Sequence, residues 1–187
     1  TAEILRRLPS SSTAAIPRRY LQIRLAMRDQ NWSEAMRLID QLQPEVQRLT
    51  ALGIQLHLLR AVCAEQIGER EEAEKSFQSV LLVEPHNVQA LHGLGQLYLD
   101  SGRFADAERV WEQAAHSPYS SGPIVAHWVR FQAHLLRCNQ GKADEWRRLE
   151  QVAEEVANRF PPSSSEPAVL QSEVLRAQGR YAAAVQR

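Results

Sequence analysis

The chain has 187 residues, enough for one or two domains, and 44% of them are hydrophobic, enough to build a sizeable core. Lys plus Arg and Asp plus Glu number 22 each, so the formal net charge is zero, which argues against a general nucleic-acid binder with its usual basic excess. No apolar run approaches the roughly 18 residues that a membrane span requires. Ala, Leu, Gln, Glu and Arg dominate and are strong helix formers, only 6% of residues are aromatic, and Val, Ile and Thr never cluster in alternating runs. The composition predicts an all-α chain.

Charge is balanced overall but not locally. Residues 1–30 hold six Arg (Arg6, Arg7, Arg18, Arg19, Arg24, Arg28) against Glu3 and Asp29, whereas residues 61–87 hold six Glu against Arg70 and Lys75. Both stretches read first as solvated helix faces. The chain opens without Met and stops after Gln186–Arg187, so an excised fragment is expected. The missing targeting signal then leaves the compartment open between cytoplasm and periplasm.

In chain order, residues 1–16 read as an irregular N-terminal linker, and helices are predicted at 17–29, 33–43, 46–67, 70–82, 88–101, 104–116, 123–139, 142–160, 166–178 and 181–187. One local pattern recurs between pairs of helices: Gln30-Asn31-Trp32-Ser33-Glu34-Ala35, Gly68-Glu69-Arg70-Glu71-Glu72-Ala73, Gly102-Arg103-Phe104-Ala105-Asp106-Ala107 and Gly179-Arg180-Tyr181-Ala182-Ala183-Ala184. Gly141-Lys142-Ala143-Asp144-Glu145-Trp146 fits with two substitutions. The final positions are spaced by 38, 34, 39 and 38 residues. Gly after a helix supplies a left-handed cap that reverses the chain. Ala in the first turn of the next helix lets two antiparallel helices approach closely. Prolines, including Pro44, Pro85, Pro118, Pro123, Pro161, Pro162 and Pro167, fall at helix ends or first turns.

Residues 88–119, with Leu94-Gly95, Tyr98, Gly102, Phe104, Ala107, Trp111 and Ala114, resemble a tetratricopeptide repeat closely. Residues 54–87 match it at Ala61, Gly68, Ala73, Phe77 and Pro85. The first unit matches at Trp32, Ala35 and Ile39, and the last at Gly179, Tyr181 and Ala184. The resemblance implies a right-handed superhelix, an α-solenoid of tandem helix-turn-helix repeats. Its units run about 17–45, 46–87, 88–121, 123–162 and 166–187, the last truncated. The fourth unit departs from the pattern: Trp146 takes the small position and Ala143 the aromatic one, as if two sizes were swapped across one helix contact.

In the family, the first helices line a concave groove that binds a peptide or protein partner. The corresponding positions here are Tyr20, Arg24, Met27 and Arg28 in unit one; Leu58, Val62, Glu65 and Gln66 in unit two; Gln89, His92, Gln96 and Leu99 in unit three; and Trp128, Phe131 and Leu135 in unit four. Tyr20, Arg24, Leu58 and Val62 replace the Lys and Asn with which one family branch clamps a C-terminal carboxylate, so that clamp is not expected. Arg24 and Arg28 suit an acidic segment. Trp128 and Phe131, if exposed in the concavity, would serve as anchors, although apolar residues at helical spacing are more often core.

No catalytic or metal constellation accompanies the repeats, and no cofactor is expected. There is no His-Glu-x-x-His, no Cys-x-x-Cys and no Gly-x-Ser-x-Gly. Gly93-Leu94-Gly95 follows no strand and completes a helix, and Glu71–Glu72 and Glu154–Glu155 belong to solvated faces. His127 and His134 can share a helix face, but the six histidines are scattered and read as packed or surface residues. Cys63 and Cys138 both sit inside helical patterns and read as buried free thiols. The leading expectation is a non-catalytic protein-interaction scaffold that binds no nucleic acid and inserts in no membrane. The alternative is the repeat portion of a larger enzyme or polysaccharide-synthesis and export machine. Self-association through an uncapped end face of Leu170, Val174, Leu175 and Tyr181 is a third expectation.

Overall fold

Helix punctuation in this sequence is strong enough that each expected boundary has a local physical cause. A computed structural model of the chain describes residues 15–46, 50–117, 119, 122–138, 142–158, 161 and 165–179. Among these lie α1 (Ala15–Arg28), α2 (Trp32–Leu42), α3 (Thr50–Ile67), α4 (Arg70–Val83), α5 (Val88–Asp100), α6 (Phe104–His116), α7 (Gly122–Cys138), α8 (Ala143–Ala157) and α9 (Glu166–Ala177), with a 3-10 turn at Gln43–Val46. Each follows the predicted span closely. The tenth predicted helix, 181–187, lies outside the described residues, as does the linker up to residue 14.

The reversals are built as the recurring pattern requires. Gly68, Gly102 and Gly179 have φ of 83°, 71° and 78°, and the matching position of the first hairpin, Gln30, has φ 56°. Behind these residues the Asn31, Glu69 and Arg103 amides reach back to the carbonyls of Ala26, Ala64 and Tyr98, each at 2.8 Å. That six-to-one bond closes the helix C-terminus. N-termini are capped by side chains where the residue permits. Asn87 Oδ1 accepts from the Ala90 amide at 3.0 Å, and Glu145 accepts from the Lys142 amide at 2.6 Å.

The chain divides into two units, Thr1–Pro85 and His86–Arg187. In the first, α1 pairs with α2, α3 with α4, and α2 packs on α3. Ala35 and Ala73 are fully buried in the two hairpins, as the small-residue rule requires. Arg60 on α3 ties the unit together: its guanidinium donates to Asp40 of α2 at 2.6 Å, to Gln43 of the 3-10 turn at 3.1 Å, and to Glu72 of α4 at 2.6 Å. Burial disfavours the Arg60 charge, but the carboxylates of Glu72 and Asp40 outweigh it, and its pKa is raised.

In the second unit α5 pairs with α6, α6 packs on α7, and α7, α8 and α9 pack on one another. Ala107 is fully buried in the α5–α6 hairpin. Its centre is aromatic. Gly95 on α5 leaves room for the indole of Trp111: a Cβ at residue 95 would overlap that ring, coming within 2.7 Å of Cε2. Trp111 is fully buried and meets Phe131 and His127 edge-on, at centroid distances of 4.7 and 4.8 Å. His127 in turn meets His92 of α5 at 5.3 Å. Edge-to-face rings at such distances add packing energy beyond their buried area.

Three expectations are corrected here. Ala143 is exposed and Trp146 half-buried, and Phe104, which holds the position of Ala143 in the preceding unit, is itself 53% exposed. The aromatic position therefore lies outside the core, and no volume is exchanged with Trp146. Cys63 is buried, but Cys138, at the last turn of α7, is exposed. Leu170 and Val174 are covered rather than left as an end face: they are 0% and 2% exposed, in a helix that packs on α7 and α8. Gln178 also ties α9 to Glu150 of α8 at 2.7 Å. Leu175 is half-buried, and Tyr181 lies outside the described residues.

Candidate binding surface

Which residues of the first helices reach solvent decides what those helices can bind. On α1, Tyr20 and Met27 are half-buried, whereas Arg24 and Arg28 are exposed. Spacings of four and seven or eight residues put them on one helix face. Arg28 is occupied, its guanidinium donating twice to Asp29 at 2.6 and 2.8 Å. Arg24 has no ion pair among the described residues. On α3, Val62 is 37% exposed, Gln66 exposed and Glu65 half-buried, but Leu58 is 7% exposed and belongs to the core.

In the second unit, His92, Gln96 and Leu99 of α5 are half-buried and Gln89 exposed, with Gln96 donating to Asp100 at 2.9 Å. On α7, Leu135 is half-buried. Trp128 and Phe131 are only 4% and 7% exposed. They are therefore not surface anchors: the Phe131 ring is spent on Trp111, and the Trp128 ring lies 5.8 Å from that of His116. The solvated face of α7 carries Arg130, His134 and Arg137 instead.

The titratable groups divide by burial. The Cys63 thiol is pushed up to about 11 by burial, so it is not a nucleophile near neutral pH. His57 and His127 are both held below the usual imidazole value, chiefly by burial. Arg60 adds to the effect at His57, and His92 and then Arg130 add to it at His127. Among the described residues no three His, Cys, Asp or Glu gather to hold a metal, and no helix is long and apolar enough to cross a membrane. The Arg60 network and the Trp111–His127–His92 ring contacts went unseen in the sequence. For the second, Gly95 facing Trp111 across one hairpin was the available signal.

Residues 66–117 match the sequence model of the family described as tetratricopeptide repeat. No curated protein matches the chain. Solved structures resemble it in fold at low identity. A tetratricopeptide repeat protein from Parabacteroides merdae is 12% identical with a TM-score of 0.67, over 91% of this chain and 63% of that one. BtubC (BKLC) from P. vanneervenii is 15% identical with a TM-score of 0.63, over 98% and 82%. A Podosopora anserina protein with kinesin light chain nearly identical TPR-like repeats is 15% identical with a TM-score of 0.54, over 92% and 91%. The chain thus spans less than two thirds of the Parabacteroides protein's length. All-helical hairpins, left-handed Gly reversals and buried Ala contacts define the class, a helical-repeat protein. Within that class, residues 66–117 match the tetratricopeptide repeat model, and the fold of the chain is like that of solved tetratricopeptide repeat structures.

Proposed function

We propose that the chain is a non-catalytic scaffold that holds a peptide or protein partner on the first helices of its hairpins. Tetratricopeptide repeats generally mediate protein–protein interactions, and that supports the class of function. The observation that carries the surface is α1. Arg24 stands exposed and without an ion pair among the described residues, between the half-buried Tyr20 and Met27. A guanidinium free to take a carboxylate in bidentate geometry, flanked by apolar surface, suits an acidic segment with an apolar neighbour. Val62 and Gln66 offer a second, mixed patch on α3.

The test is capture of partners from native lysate by the intact chain, by Arg24→Glu, and by Lys75→Glu as an exposed control on α4. A partner held by the wild type and the control but lost by Arg24→Glu supports the reading. Retention by Arg24→Glu moves the surface off α1. Failure to hold any partner above a scrambled-surface control removes the scaffold reading itself.

A further inference from the structure

Beyond its two carboxylates, the Arg60 network of the first unit reaches His57, one turn earlier on α3. Gln43 is the link. Its backbone amide closes α2 on the Ile39 carbonyl. Its side chain extends to α3, where Oε1 accepts from Arg60 at 3.1 Å and Nε2 lies 3.3 Å from His57 Nε2.

Donor and acceptor chemistry fixes the protons along this chain of contacts. A guanidinium only donates, so the atom that Gln43 turns to Arg60 is its oxygen. The amide nitrogen of Gln43, also a donor, then faces His57 Nε2, which must accept. The imidazole is therefore neutral and carries its proton on Nδ1. A second observation is independent of that chain: His57 Nδ1 is shut from solvent and has no partner. An enclosed ring nitrogen without a partner is uncommon and unfavourable, and it leaves Nε2 as the one ring nitrogen with an outlet. The charged groups nearby are Arg60 on the same helix and Glu72 of α4, while Asp40 of α2 binds Arg60 and Glu45 of the turn binds Arg19 of α1. Burial and then Arg60 disfavour the imidazolium, and Glu72 favours it.

We infer that the side-chain amide of Gln43 is a proton-operated, two-position latch between the 3-10 turn and α3, a device that needs no partner and is independent of the scaffold reading. With His57 neutral, the amide oxygen holds Arg60. When Nε2 takes up a proton, the new N–H faces an amide nitrogen that has nothing to accept with. The amide turns over, and its oxygen passes from Arg60 to His57. Arg60 can release it, because Asp40 and Glu72 still accept from the guanidinium. His57 cannot look elsewhere, because Nδ1 is enclosed. The anchor of the turn thereby moves about one helical turn along α3, from residue 60 to residue 57.

The test is nuclear magnetic resonance of the intact chain, with the imidazole nitrogens of His57 and the side-chain amide of Gln43 followed from about pH 7.5 to about pH 5, across the ordinary imidazole range. His57 is expected as the Nδ1-protonated tautomer at the upper end, and the Gln43 amide resonances should shift with the same midpoint as His57. Gln43→Glu offers an acceptor to Arg60 and His57 at once, so His57 should bind its proton at least about tenfold more tightly. Gln43→Leu removes the amide and keeps much of its bulk, and the Nδ1 preference should disappear. The first two readouts use the wild-type chain and do not depend on either variant folding. An Nε2-protonated neutral His57, a Gln43 amide that does not follow His57, unchanged proton affinity in Gln43→Glu, or an unchanged tautomer in Gln43→Leu overturns the inference.

Discussion

The two units use the same hairpin grammar and are held together by different chemistry. The first gathers three helices and a turn around one guanidinium, Arg60, with Asp40, Gln43 and Glu72 as acceptors. The second gathers α5, α6 and α7 around one indole, Trp111, seated over Gly95 and faced by His127 and Phe131. The guanidinium network is directional but remains partly solvated: the side chains of Arg60, Glu72 and Asp40 are 21%, 32% and 55% exposed. The indole is fully buried. Close packing in a dry site is worth more than ion pairs within reach of water, so the second centre should be the costlier to lose.

The largest expected effect is therefore Trp111→Ala, at about 3–5 kcal/mol of stability in urea unfolding. Gly95→Ala should cost about 1–3 kcal/mol through overlap with that ring. The comparison sharpens in the double variant: with Trp111 already Ala, Gly95→Ala should turn neutral or favourable, because Ala is the better helix former. A cost that persists in the double variant would detach Gly95 from the ring.

Next is Arg60→Met, expected at about 1–2 kcal/mol, between the values for exposed and buried pairs. The loss should shrink in high salt, whereas that of Trp111→Ala should not. A salt-independent Arg60 effect would mean that its aliphatic stem, not its charge, holds the first unit.

Gln30→Gly should raise stability by about 0.5–1 kcal/mol, since Gln30 holds at φ 56° a conformation that glycine occupies at Gly68, Gly102 and Gly179. The converse change, Gly102→Val, should destabilise by strain alone. A Cβ there meets nothing within 4 Å, but φ is 71°. A lower melting temperature for Gln30→Gly would mean that the Gln30 side chain has a role of its own.

Smallest is the pH response, carried by one histidine in each unit. His57 and His127 have folded pKa values below the unfolded imidazole value. The unfolded chain then binds more protons, so stability is complete above about pH 6.5 and falls as pH drops through that value toward the folded pKa values. Calorimetry from pH 7.5 to 5 should show a falling melting temperature, flattened by His57→Gln together with His127→Phe. An unchanged slope in that variant would place the proton uptake elsewhere.

Much of this architecture was legible locally. Helix spans, left-handed glycines, buried Ala35, Ala73 and Ala107, and buried Cys63 all follow from spacing, caps and residue size, which act within a few residues. The candidate surface was less legible. Trp128 and Phe131 carry the same helical spacing whether they face solvent or another helix, and only the neighbours Trp111 and His116 decide that they are buried. The same holds for Leu170 and Val174, covered in the packing of α9 on α7 and α8, and for Cys138, exposed at the end of α7.

The amino-acid sequence by itself determined where helices start, stop and reverse, because capping, propensity and the left-handed preference of glycine are properties of short segments. Only the tertiary structure decided which faces stay open and which side chains meet across helices. Burial and pairing depend on residues far apart in the chain, and periodicity marks an apolar stripe without naming what will cover it.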